Sequence, residues 1–280
     1  MVQAASLAPA KLNLFLYVLG KRKDGYHDIF TLMQKVSLYD KISVSLEDGD
    51  SITINASMNG ITLDERNTAH LAASLFFGHK NIGKKHVTVM LEKHIPVESG
   101  MGGASSDAAS VLKTLNRLLP SYREDQLYEL SKQAGSDVPF FMIDGPGLAT
   151  GRGDIVKKVE ITDHLYYVVV KPDFGISTKW AYSQLKILTN SELPLMCDRA
   201  LYTRDDIMRC LQNDLETVTG RYTPEIKAIK EKLLSYGAKA AMMTGSGSCI
   251  FGIFYEEQEA QAVFNKISKE YTAVYKLRGI

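Results

Sequence analysis

Between Pro96 and Asp107 the chain reads Pro-Val-Glu-Ser-Gly-Met-Gly-Gly-Ala-Ser-Ser-Asp, residue types that suit the binding of an anion. Gly100, Gly102 and Gly103 carry no Cβ, so the backbone there can take positive φ and approach a ligand closely. Ser105 and Ser106 add hydroxyls where a helix is expected to begin. The first turn of a helix has free N–H groups and the positive end of its dipole. Together these features point to phosphate; a flexible loop before a capped helix is the alternative. No Gly-Lys-Ser/Thr closes the run, so it is not a Walker A loop. Ser105 stands where a dinucleotide fingerprint needs its third glycine, which argues against that motif.

Three further groups of residues have types that could do chemistry. Lys11 and Asn13 alternate with Leu12 and Leu14, which puts an ammonium and a carboxamide on one face of a strand. That face could be a solvent edge, but it also carries Phe15 and Tyr17, so something is expected to cover it. Asp24-Gly25-Tyr26-His27 is a turn that offers an aromatic face and an imidazole with one donor and one acceptor. Asp137 precedes Val138-Pro139, and the proline is expected to hold Val138 extended, leaving Asp137 in a non-helical segment. A turn aspartate satisfying local N–H groups is the alternative there. Val169-Val-Lys171 and Asp173-Phe-Gly175 mimic two protein-kinase motifs, but they are adjacent and no His-Arg-Asp loop separates them. The Asp-Phe-Gly run is read as a turn after a strand.

The elements expected to position these residues follow from periodicity. Val87, Val89 and Leu91 alternate with Thr88, Met90 and Glu92, as in a half-buried strand leading to the glycine run. Ala108, Val111, Leu112, Leu115, Leu118 and Leu119 then recur at helical spacing. Strands are expected over residues 8–18 and 30–36, and two short ones within 41–55. Asn67 can cap a helix over 68–77. Further helices are expected over 121–133, ending at Gly135, and from a cap at Ser177 or Thr178. Others are expected over 206–219, 224–235 and 256–271, with an irregular stretch over 188–202. Met242 to Phe254 reads as a Gly-Ser turn leading into a strand, and 273–277 as a last short strand.

With 280 residues, 45% hydrophobic and 23% charged, the composition is that of a globular protein of one or two domains. The net charge of +1 argues against nucleic acid or an anionic membrane as the main partner. Cys197, Cys210 and Cys249 are odd in number and lack metal-ligand spacing, so reduced thiols are expected. The N-terminal residues do not read as a signal peptide, and no apolar run is long enough to span a bilayer.

The glycine run, with Pro96 before it and Ser105-Ser106 in it, resembles the central motif of the GHMP kinases. The longer form Gly-Gly-Ala-Ser-Ser-Asp-Ala-Ala, with Pro9-Ala-Lys-Leu-Asn-Leu, Asp24-Gly-Tyr-His and Gly135-Ser-Asp-Val-Pro, is most similar to the diphosphocytidyl kinase branch of that superfamily. The resemblance implies an α+β, two-domain GHMP kinase fold. Its N-terminal half, residues 1–152, would be like ribosomal protein S5 domain 2; its C-terminal half, residues 153–280, would be ferredoxin-like. The implied activity is transfer of the γ-phosphate of ATP, with Mg²⁺, to the 2-hydroxyl of 4-diphosphocytidyl-2-C-methyl-D-erythritol. Lys11 and Asp137 would be catalytic, Asp137 as base. ATP would meet Pro96, Val97, Glu98, Ser99, Gly100, Met101, Gly102, Gly103, Ala104, Ser105 and Ser106, with Asn67 and Lys93 near its nucleoside. Asn13, Tyr26, His27, Tyr182 and Gly247 would meet the cytidine diphosphate ester. Metal ligands are not indicated. A cytoplasmic monomer or homodimer, with neither nucleic acid nor membrane as partner, completes the expectation. Another GHMP small-molecule kinase and a non-catalytic nucleotide-binding module are the rival readings. The chain departs from the family pattern at Glu98, where a small residue is usual, at Ala104 for Gly, and at Ser248 for Pro.

Overall fold

A computed structural model of the chain describes residues 1–78, 82–185 and 197–280. The elements run β1 (Val2–Lys21), β2 (His27–Asp48), β3 (Ser51–Ala56), α1 (Thr68–Gly78), β4 (Lys85–Glu92), α2 (Gly103–Leu118), α3 (Glu124–Ala134) and α4 (Val138–Met142). They continue with β5 (Gly147–Thr150), β6 (Ile155–Lys158), β7 (Glu160–Ile161), β8 (Tyr166–Lys171), α5 (Thr178–Gln184), β9 (Leu201–Tyr202), α6 (Arg204–Cys210) and α7 (Glu216–Tyr222). The last five are α8 (Pro224–Ser235), β10 (Ala240–Met243), β11 (Ile250–Phe254), α9 (Glu257–Ile267) and β12 (Ala273–Arg278).

Packing divides the chain into two compact units that are not contiguous in sequence. The first comprises 1–10, 38–95 and 102–144; the second comprises 11–37, 96–101 and 145–280. The division expected near residue 152 follows the chain, whereas these units follow packing. The long strands β1 and β2 contribute residues to both.

In the first unit the C-terminal part of β2 pairs antiparallel with β4, Lys41 opposite Glu92 through Asp48 opposite Lys85. β3 lies on the other side of β4 and runs parallel to it. Val87, Val89 and Leu91 are buried and Met90 is exposed, as the alternation predicts. Burying side chains of that size contributes about 1.5–3 kcal/mol each. Helices α1, α2, α3 and α4 complete the unit, with Ala69, Ala72, Ala73, Val111, Leu112 and Leu115 buried among them.

In the second unit the N-terminal part of β2 pairs with β5, and β5 with β6. A separate antiparallel sheet has the order β10-β11-β8-β12. Its strands follow one another in the chain as β8, helices, β10, β11, α9, β12, the split βαβ arrangement of a ferredoxin-like half. Val168, Val170, Ile250 and Phe254 from this sheet share a core with Ile226, Ile229 and Leu233 of α8 and Ala260, Val263 and Ile267 of α9.

Several expectations are corrected. The strands expected over 30–36 and from 41 are one continuous β2. Val138 is not extended: it opens α4, with Pro139 in the first turn, where a missing N–H leaves no bond unmade. The helix expected from Ser121 begins at Glu124, with Gln126 Oε1 accepting from the Arg123 amide. The single helix expected over 206–219 is two, α6 and α7, interrupted at Gln212–Asp214 by main-chain bonds to Leu16. Two of the three cysteines are not free, since Cys197 and Cys210 form a disulfide across a Cα separation of 5.9 Å, a pairing that spacing alone does not reveal. Cys249 is buried, and burial pushes its thiol up to about 12. The irregular stretch expected from residue 188 lies outside the described residues as far as 196. No helix among the described residues is long and apolar enough to cross a membrane.

Candidate active site

In the second unit three segments converge. Lys11 and Asn13 stand on β1, both almost wholly buried, so the polar face of this strand is covered and is not a solvent edge. The Lys11 ammonium donates to Asn13 Oδ1 in a short contact. Asn13 Nδ2 donates to Thr31 Oγ1 at 2.8 Å, and Thr31 Oγ1 donates to the Phe15 carbonyl at 2.6 Å. The carboxamide is thus held in one orientation by β2, with its oxygen turned to Lys11.

The second segment is the first half of the glycine run. Lys11 N–H donates to the Met101 carbonyl at 2.9 Å, which ties this loop to β1. Gly100 has φ +74°, in the left-handed region that favours glycine. The third segment is the turn between β10 and β11. Thr244 Oγ1 accepts from the Asn13 amide at 3.0 Å and lies 3.3 Å from the Gly100 carbonyl. A Cβ on Gly245 would stand 3.0 Å from the Gly100 carbonyl oxygen and 3.2 Å from Lys11 Nζ. The ammonium therefore sits where the two glycine turns cross.

Asn213 holds that crossing from behind. Its Nδ2 donates to the carbonyls of Met243 and Gly245, both at 2.8 Å, and its Oδ1 accepts from Leu215 N–H. Asn213 was not among the residues expected from sequence. Its signal was the Asn-Asp pair inside a helical pattern, since such side chains compete for backbone groups and end helices. Thr31 and Thr244 carried no comparable signal.

The cytidine-site candidates also lie in this unit. His27 and Tyr182 stack on each other, with ring centroids 5.1 Å apart and planes at 25°. A base placed between them must part the rings. Tyr26 is half exposed, and the Arg152 guanidinium lies over its ring at 4.9 Å. Partial burial, helped by the charge of Lys21, lowers the His27 pKa, so the imidazole is neutral at pH 7 and keeps one donor and one acceptor. Gly247, at φ +89°, packs against Met243 and Ile176.

In the first unit α2 begins at Gly103 with Gly102 as its N-cap in the left-handed region, φ +73°. Ser106 is fully buried, and among the described residues its Oγ has no hydrogen-bond partner. Below this turn Lys93 donates to Asp40 and to Asp107, all three side chains being buried. Asp40 also accepts from the His94 and Ile95 amides. Burial pushes the Asp107 carboxyl up to about 7; the Lys93 ammonium opposes this and the Asp40 carboxylate adds to it. Lys93 thus spends its charge inside the unit. Asn67 caps α1, accepting from Ala69 N–H at 2.8 Å, while its Nδ2 donates to the Thr62 carbonyl. Asp137 stands at the N-terminus of α4, with φ −85°.

Comparison with known proteins shows the family of the chain. Residues 56–145 match the GHMP kinases N terminal domain and residues 199–273 the GHMP kinases C terminal family. A relative from Syntrophotalea carbinolica named 4-diphosphocytidyl-2-C-methyl-D-erythritol kinase is 43% identical over 263 residues, 94% of this chain and 93% of its own length. One of the same name from Shouchella clausii is 38% identical over 98% of this chain and 93% of its own. A crystal structure of 4-(cytidine 5'-diphospho)-2C-methyl-D-erythritol kinase matches with a TM-score of 0.81 at 29% identity, covering 99% of this chain and 100% of that one. The homoserine kinase of Cytophaga hutchinsonii, at 18% identity, shares the fold with a TM-score of 0.76 over 99% of this chain and 97% of its own. At 43% identity to the first of these relatives over nearly the whole length, the relationship is one of family: the chain belongs to the GHMP kinases, in the family of the 4-diphosphocytidyl-2-C-methyl-D-erythritol kinases.

Proposed function

We propose that this chain transfers the γ-phosphate of ATP to the 2-hydroxyl of 4-diphosphocytidyl-2-C-methyl-D-erythritol. The observation that carries the reading is the Lys11 ammonium, buried beside Asn13 where the turns of Gly100 and Gly245 cross. A fixed cation there suits an acceptor hydroxyl and the charge that grows on a transferring phosphoryl group.

In this reading the loop from Pro96 to Ala104 and the first turn of α2 take the triphosphate, with free N–H groups and the helix dipole offsetting its charge. The Ser106 Oγ, without a partner among the described residues, is a polar atom that a phosphate or its metal would satisfy. Asp137 accepts the hydroxyl proton as the oxygen attacks phosphorus. Tyr26, His27 and Tyr182 hold the cytosine, the neutral His27 reading its edge. Lys93 serves by fixing the base of α2 through Asp40 and Asp107, and Asn67 by capping α1. Among the described residues no group of three or more His, Cys, Asp or Glu side chains is arranged to hold a metal. Mg²⁺ would be held chiefly by the phosphates, as is usual for that ion. When bound, it would supply positive charge that offsets that of the phosphates. A cytoplasmic location and a monomeric or homodimeric state belong to the same reading.

The test is incubation with ATP, Mg²⁺ and the cytidyl acceptor. One ADP should form per acceptor consumed, with the new phosphate located on the C2 oxygen by NMR. A preference for mevalonate or homoserine over the cytidyl acceptor would overturn the assignment.

A further inference from the structure

The turn from Lys171 to Gly175 does more than reverse the chain. The Lys171 ammonium donates to the carbonyls of Pro172 at 2.8 Å and Phe174 at 2.7 Å. Ser248 Oγ donates to the same Phe174 carbonyl at 2.6 Å and lies 3.4 Å from the Glu98 carbonyl. The Ser248 amide donates to the Glu98 carbonyl at 3.2 Å, and the next amide, of Cys249, donates to the Ser99 carbonyl at 3.1 Å. Ser248 is fully buried, so these bonds do not compete with water.

What they hold is unusual. Among the described residues Glu98 alone has a Cβ and a left-handed backbone, at φ +49°. Such a conformation is disfavoured and persists only where its surroundings impose it. The Glu98 side chain lies over Gly175, where a Cβ would stand 1.9 Å from Glu98 Oε2. Glu98 and Ser248 are therefore in direct contact, and a glycine makes room for the Glu98 side chain. A proline at 248 would offer neither the N–H that Glu98 uses nor the hydroxyl that Phe174 uses.

We propose that Ser248 is a positioning residue for nucleotide binding, a clasp that holds Glu98 in its left-handed conformation and so fixes the path of Ser99 and Gly100. The proposal rests on the reading of this loop as the ATP site. It does not depend on the identity of the acceptor.

The test is ADP affinity by calorimetry in the presence of Mg²⁺, which needs no acceptor, alongside steady-state kinetics. Ser248→Ala should weaken ADP binding about fivefold, the effect of one lost hydrogen bond. It should raise the KM for ATP by a similar factor while leaving kcat within about twofold, because the effect is on nucleotide seating rather than on transfer. Ser248→Thr, which keeps the hydroxyl, should restore most of the affinity. In a Glu98→Gly background the Ser248→Ala change should lose most of its effect, because glycine needs no holding in that region. Gly175→Ala, which displaces the Glu98 carboxylate, should weaken ADP comparably and serves if Ser248→Ala does not fold. Unchanged ADP affinity in Ser248→Ala or Gly175→Ala, or an equal loss in the Glu98→Gly background, would overturn the clasp. Absence of turnover by the parent enzyme with the cytidyl acceptor would instead sink the acceptor assignment, and the ADP titrations would still decide the clasp.

Discussion

A Cβ placed on Gly100 would lie 2.0 Å from the carbonyl oxygen of Thr244, so the glycine loop and the β10–β11 turn meet backbone to backbone. Thr244 cannot yield, because its hydroxyl bonds the Asn13 amide and its carbonyl accepts from Gly247 N–H at 3.0 Å. Gly100→Ala is expected to combine this clash with an unfavourable φ, a loss of roughly 2–4 kcal/mol. Urea unfolding and ADP titration check it. A variant as stable as the parent would mean that the loop can move away from the turn.

Lys11 and Asp137 are expected to act on transfer rather than on nucleotide binding. Lys11→Ala and Asp137→Asn should each lower kcat by about 10²–10⁴, the range for a lost charge-stabilising or proton-accepting group. The KM for ATP should change by less than about threefold. Steady-state rates over a range of ATP concentrations separate the two effects. A rise in KM at constant kcat would remove these residues from the chemical step.

Asp107 makes stability depend on pH in a direction opposite to that of a surface salt bridge. Below about pH 4 its carboxyl is protonated in both the folded and the unfolded chain. Between there and about pH 7 the unfolded chain releases the proton while the folded protein keeps it, because burial has pushed the carboxyl up to about 7. This group's contribution to stability therefore falls as pH rises through that window and levels off above it. Asp107→Asn, neutral at every pH, lacks the decline. Its stability relative to the parent should rise between pH 4.5 and 8, by an amount on the order of a few kcal/mol. Urea unfolding at the two pH values reads this directly, and parallel behaviour would show that Lys93 keeps Asp107 ionised throughout.

Asn213→Ala should cost roughly 2–3 kcal/mol, because it leaves the buried carbonyls of Met243 and Gly245 without their donor. The KM for the cytidyl acceptor should rise with it, since the turn that Asn213 holds carries Gly245 and Gly247. Thermal unfolding and acceptor saturation curves measure the two effects. Asn213→Asp should fare no better, because a carboxylate has no N–H to give.

Local pattern made some of this architecture legible. The alternation of Val87, Val89 and Leu91 marks β4, and Pro224 and Gly237 bracket α8 in sequence as they do in the fold. The glycines at 100 and 102 announce positive φ. What stayed hidden depends on partners distant in sequence. Nothing near Lys93 foretells that Asp40 and Asp107 will enclose its charge. The meeting of Cys197 with Cys210 rests on how α6 is placed, and the break between α6 and α7 is caused by Leu16 on a strand almost two hundred positions away. The Pro139 rule failed for a local reason, since a helix tolerates proline in its first turn. In the candidate site, residue types singled out Lys11 and Asn13, but Thr31, Thr244 and Asn213, which orient them or the turn beside them, have unremarkable surroundings in sequence.

Because β1 and β2 each run from one compact unit into the other, the chain has no cut that separates its two halves. A fragment ending at Asp144 would contain all of the first unit together with the orphaned segments 11–37 and 96–101 of the second. A fragment starting at Gly145 would keep the β8–β12 sheet but lack Lys11, Asn13 and the glycine loop. Expression of either piece alone should give a protein without ATP turnover, and a nick at that junction should leave the fragments associated until the chain is denatured.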